Sequence, residues 1–138
     1  MNKHIEHWNY IFDALNNNFW DGHLRSVPVF LKDLEGDMLG SFECTPEGFN
    51  SILLAKNQGL TNTEMLGVLL HEVCHHAVFE KHGIDIEPHG SEWQFEMKQV
   101  GFTGTIDELT DGCRRFNLKS RDQFFNCHFE KIKEEQNG

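Results

Sequence analysis

Apolar positions at helical spacing open the chain. Ile5, Trp8, Phe12, Leu15 and Phe19 recur every three to four residues and predict an amphipathic helix over residues 4–20. Asp21-Gly22 breaks it. Three short strand-like runs follow, at residues 27–32, 38–44 and 49–55, with Gly36-Asp37 and Pro46-Glu47-Gly48 as turns. Pro28 suits the first run to a sheet edge. The short connections predict an antiparallel meander. Thr61-x-x-Glu64 is a capping box opening a long helix that runs to about His82, with Gly83 as its stop. Ser91-x-x-Gln94 reads as the cap of a further helix carrying Trp93, Met97 and Val100. Residues 105–117 lack a period, and Ser120-x-x-Gln123 caps a last helix with Phe124, Phe125, His128, Phe129 and Ile132.

The fold class expected is α+β: helix, meander, helix, helix, and a C-terminal helical appendix. With 138 residues, the chain has room for one domain. Residues 1–102 form its body, and residues 103–138 are expected to pack on it as an extension. Apolar residues make up 38%, including 12 Phe, which is enough for a core. The net charge of −10 disfavours phosphate binding over the whole surface. Four basic residues do cluster at Arg114, Arg115, Lys119 and Arg121 around Phe116, a pattern able to touch single-stranded nucleic acid. A solvated loop pairing with nearby acids is the plainer reading of that cluster. No apolar run is long enough for a membrane span, and the start of the chain has no signal-peptide pattern. Cys44, Cys74, Cys113 and Cys127 form no CxxC, which fits reduced thiols and a cytoplasmic location.

Nine histidines are many for packing alone, and two of them stand in His71-Glu72-Val73-Cys74-His75. Histidines four apart on a helix share a face, about 6 Å apart along the axis, so both imidazoles can meet one Zn²⁺. Glu72, beside the first ligand, can serve as general base on water activated by the metal. Cys74 points about 60° away from His71 and reads as a small buried hydrophobe. A catalytic zinc needs a third protein ligand and an open position. The candidates are His76, His82, His89, Glu92 and Glu96. His76 points about 100° away, and His82 lies about 10 Å farther along the axis. His89 follows the Gly83 break, where the chain can fold back, and Glu96 on the next helix is its rival. For the oxyanion, Tyr10, His23, His76 and His82 are open candidates.

The chain resembles the SprT-like zinc metallopeptidases. The resemblance is carried by Gly67-Val68-Leu69-Leu70-His71-Glu72-Val73-Cys74-His75-His76, by Pro88-His89-Gly90-Ser91-Glu92-Trp93-Gln94-Phe95, and more loosely by Phe19-Trp20-Asp21-Gly22-His23-Leu24, Leu39-Gly40-Ser41-Phe42 and Ile52-Leu53-Leu54. It implies a minimal zincin-like domain and zinc-dependent hydrolysis of protein or peptide substrates. It also implies one Zn²⁺ held by His71, His75 and His89, with Glu72 as the catalytic acid/base. Many members carry a C-terminal Cys₄ zinc ribbon. Only Cys113 and Cys127 fall in that part of this chain, so no second zinc is expected. Spartan-type members cleave proteins crosslinked to DNA. The second reading is a non-catalytic, zinc-stabilised module that binds a protein on the same scaffold. Glu72 argues against it, since a structural site has no use for that carboxylate.

Overall fold

Six elements follow in chain order: α1 (Lys3–Trp20), β1 (Val29–Lys32), β2 (Gly40–Cys44), β3 (Asn50–Ala55), α2 (Asn62–His82) and α3 (Ser91–Gln99). The computed structural model describes residues 3–100 apart from Pro46, Gly48 and Ile84. The expected C-terminal helix, the cluster of Arg114, Arg115, Lys119 and Arg121, and Cys113 and Cys127 lie outside the described residues. The architecture is α+β, as the apolar pattern implies.

Of the expected α1 stripe, Trp8, Phe12 and Leu15 are buried, Phe19 is half-buried against the core, and the Ile5 side chain lies outside what the structure describes; Ile11 joins the buried face. Asp21 and Gly22 both take positive φ and turn the chain out of α1, a conformation that Asp tolerates and Gly adopts freely. Asn16 spans the turn, donating to the Leu24 carbonyl at 2.9 Å and accepting from the Leu24 N–H at 3.1 Å. Asn9 does the same for Val29 at the start of β1, with both bonds at 3.0 Å. Each amide satisfies both backbone groups of one residue, which lets a loop or strand end lie against a helix without orphaned polar atoms.

The sheet is not a meander. Its order is β1-β3-β2, with β1 parallel to β3 and β2 antiparallel to it. β1 and β2 run in opposite directions one strand apart, and β3 enters the slot between them. The β1–β2 connection crosses the end of β3 and is held there by the residues that follow it. Asn57 bonds both backbone groups of Leu34, at 2.9 and 3.1 Å, and Gln58 donates to the Gly36 carbonyl at 2.7 Å. As the central strand, β3 is buried along Ile52, Leu53, Leu54 and Ala55. Pro28 does stand at an edge, immediately before β1.

α1 packs on β1, α2 on β2 and β3, and α3 on α2. The capping box at the start of α2 is complete: Thr61 Oγ1 accepts from Glu64 N–H, and the Glu64 carboxylate accepts from Thr61 N–H. Leu66, Val68, Leu69, Leu70, Val73, Cys74 and Ala77 are all buried, so α2 is enclosed nearly all round. That enclosure puts His71, His76 and Glu72 in a dry environment. Among the described residues no helix is long and apolar enough to cross a membrane.

Candidate metal centre

His71 and His75 come from adjacent turns of α2. Gly83 ends the helix at φ +84°, its N–H donating to the Phe79 carbonyl at 2.9 Å, and residues 85–90 return towards the helix. A tight turn places Gly90 N–H on the Glu87 carbonyl at 3.1 Å. A Cβ on Gly90 would stand 3.0 Å from the Glu87 Cβ, so glycine fits this turn where larger residues crowd it. The return brings His89 to the other two histidines. One nitrogen from each of His71, His75 and His89 lies within 4.8 Å of the others.

The ring centroids of His71 and His75 are 5.0 Å apart, those of His71 and His89 5.5 Å, and those of His75 and His89 5.0 Å. The Nε2 atoms of His71 and His75 approach to 3.2 Å. Tetrahedral ligands with metal–nitrogen bonds of about 2.0–2.1 Å sit about 3.3 Å from each other, so this spacing fits one ion. Three neutral imidazoles are a donor set for a transition metal. The three histidines could therefore hold a metal ion.

Trp93 of α3 forms the floor of the cluster. Its ring stacks on His75 at 16° and 5.3 Å, and lies 4.7 Å from His89 and 4.8 Å from His71. Trp93 is fully buried, and its indole N–H points at the His71 carbonyl at 3.4 Å. α3 differs from expectation at its cap. Gly90 is the N-cap, and no side chain caps the helix. Ser91 Oγ bonds Glu92 instead, at 3.1 Å. Gln94 reaches back, but to the His89 carbonyl at 3.0 Å, so it holds the backbone of the third histidine.

The other ligand candidates lie away from the cluster or are engaged elsewhere. The Glu96 carboxylate is buried, accepting from Trp20 Nε1 at 2.9 Å and from Lys81 Nζ at 2.7 Å. It ties the end of α1 to α2 and α3. His76 is fully buried between Phe12 and Phe42 and donates from Nε2 to the Arg25 carbonyl at 2.7 Å. His82 is exposed on the last turn of α2. Of the oxyanion candidates, Tyr10, His23 and His82 are exposed and His76 is enclosed; none lines the cleft beside the cluster.

That cleft has a volume of about 400 Å³, and β2 forms one of its walls. The bonds from Ala55 N–H to Leu39 O and from Thr45 N–H to Phe49 O fix the parity of the strand. Odd residues of β2 turn their backbone groups to β3, and Gly40, Phe42 and Cys44 turn theirs outward along the edge. The outward Phe42 N–H donates to the Glu72 carboxylate. Space is tight here. A Cβ on Gly40 would come within 2.5 Å of Val68 Cγ1 and 3.3 Å of Glu72 Oε2. An isolated glycine in a strand pattern signals such an approach, and it was visible in the sequence.

Burial governs the titration of these groups. It lowers His71 from 6.5 to about 3 and His75 from 6.5 to about 4, with the neighbouring histidines adding in the same direction. His89 is lowered as well, chiefly by burial. The imidazoles thus stay neutral and able to ligate. Burial raises Glu72 from 4.5 to about 8, against the opposing Phe42 hydrogen bond. The sign for chelator-treated protein follows. Below about pH 6.5 the unfolded histidines take up protons that the folded ones refuse, so stability falls with falling pH. Between about pH 4.5 and 8 the folded Glu72 keeps a proton that the unfolded one releases, so stability falls with rising pH. The histidines outnumber the carboxyl on the acid side, and above about pH 6.5 the Glu72 effect remains. The melting temperature of metal-free protein will peak near pH 6.5 and fall more steeply on the acid side. Calorimetry across pH 4–9 in chelator checks this, and Glu72→Gln will flatten the alkaline limb.

No match was found among curated proteins. The family model described as SprT-like matches residues 8–120, a stretch containing both α2 with its histidine pair and the His89 turn. The chain belongs to the SprT-like family.

Proposed function

We propose that the chain is a zinc-dependent metallopeptidase, with one Zn²⁺ held by His71, His75 and His89 and with Glu72 as general acid/base. The observation that carries this reading is the placement of a buried carboxylate beside three convergent neutral imidazoles, in a cleft walled by β2, an edge strand of the sheet among the described residues. Zinc at such a site supplies Lewis-acid activation of water and of a substrate carbonyl. Glu72 takes the proton of the attacking water and delivers it to the leaving amine. The outward backbone groups of Gly40 and Cys44 can pair with an extended segment of substrate, as added strands do. A folded chain cannot enter a cleft of about 400 Å³, so the substrate is an unfolded or extended stretch of polypeptide.

Purified protein is expected to carry about one zinc per chain and to cleave a denatured protein substrate. A chelator will abolish the cleavage, and added zinc will restore it. Stoichiometric zinc with no cleavage would overturn the peptidase reading in favour of the zinc-stabilised binding module. Absence of zinc would overturn both.

A further inference from the structure

The cleft extends past the histidines into an apolar half. Val78 and Phe79 bound it, three and four residues beyond His75 on α2. Phe42 of β2, whose ring lies 5.9 Å from that of Phe79, and Ile86 and Pro88 of the return loop complete it. The helix rise puts Val78 and Phe79 about 4.5–6 Å beyond His75. With consecutive Cα atoms 3.8 Å apart, that is about the distance from a peptide carbonyl to the side chain of the next residue. Phe79 and Ile86 are only half-buried, so they present apolar surface to this space. Among the described residues, the cleft lining contains no Lys or Arg, while Glu72 and Glu87 both belong to it. An acidic side chain entering this half would lose its hydration with no basic side chain among the described residues to meet it.

We infer that this half of the cleft is a subsite for a bulky apolar side chain next to the cleaved bond. The substrate class is therefore extended polypeptide with a residue such as Leu, Met or Phe at that position. The inference rests on the peptidase reading for the place of the bond, and on the cleft itself for the chemistry of the side chain. Ile86 is a specificity-determining residue in it, since it comes from the loop and leaves the α2 ligands untouched.

The test is a binding measurement on zinc-loaded protein, independent of turnover. Three peptide hydroxamates are compared by calorimetry, identical except for Leu, Gly or Asp next to the hydroxamate group. The Leu compound will bind about tenfold or more tighter than the Gly compound, the scale expected for burying one large aliphatic side chain. The Asp compound will bind more weakly than the Gly compound. Ile86→Ser will reduce the Leu-to-Gly ratio to about threefold or less, and the ratio is the readout. Equal affinities for Leu and Gly in the wild type would overturn the subsite and leave the zinc site standing. A Leu preference unchanged in Ile86→Ser would also overturn the assignment. Failure of all three compounds to bind would remove the zinc-centred reading and this inference with it.

Discussion

Glu72→Gln will keep its zinc and lose peptide hydrolysis by about a hundredfold to ten-thousandfold, the range associated with a positioned proton-transfer group. The substitution conserves size and shape. Its amide oxygen can still accept the Phe42 N–H that the carboxylate accepts. Burial already favours the uncharged form of Glu72, so a neutral amide suits the site in the metal-free protein. What the amide cannot do is take a proton from water and return it to an amine. The variant should therefore melt close to the wild type and retain about one zinc per chain, with the whole effect in the rate. Glu72→Ala is a poorer probe. It would leave the Phe42 N–H without its acceptor, at about 1–3 kcal/mol if that group stays dry. Metal analysis, melting and a cleavage assay on the same preparation separate the outcomes. Undiminished cleavage by zinc-loaded Glu72→Gln would show that the base is another group. Loss of zinc would show that Glu72 helps to hold the ion.

Local pattern and long-range placement divide what could be read from the sequence. The α1 stripe, the Thr61–Glu64 box and the Gly83 stop are local, resting on residues within a turn or two of each other, and the structure has all three. The histidine pair is also local, since a spacing of four fixes one helix face. Strand order is not. Alternation marks the strands, but nothing in their composition says that the first pairs with the third. The bonds of Asn57 to Leu34 and of Gln58 to Gly36 join positions more than twenty residues apart. One clue was present: Ile52-Leu53-Leu54-Ala55 is an unbroken apolar run, the mark of a strand buried on both faces. The choice between His89 and Glu96 lay beyond local pattern for the same reason. Both follow the chain reversal, and what occupies Glu96 is Trp20, seventy-six residues away, together with Lys81.

His89→Ala will lose most of its zinc affinity while keeping the fold. Small zinc domains bind with apparent free energies of about 10–16 kcal/mol over four ligands, so one ligand represents about 3 kcal/mol, or a hundredfold and more in Kd. Structure separates this histidine from the other two. His71 is buried in the central helix above Trp93, and removing it would open the core. His89 lies on the return loop, whose backbone Gln94 holds through the His89 carbonyl, a bond that alanine keeps. At a free zinc concentration of one hundred times the wild-type Kd, the wild type gains about 2.7 kcal/mol, or about 10 °C in melting temperature. The variant, with Kd raised a hundredfold, gains about 0.4 kcal/mol at the same concentration, or about 1 °C. Metal-free samples of the two should melt within a few degrees of each other. Glu96→Gln is the counterpart: it weakens the bond to Lys81 but keeps the zinc-dependent rise, because Glu96 points to Trp20 and Lys81 and not to the histidines. A full zinc shift in His89→Ala, or its loss in Glu96→Gln, would move the third ligand from the loop to α3 and would mean that the His89 turn serves another purpose.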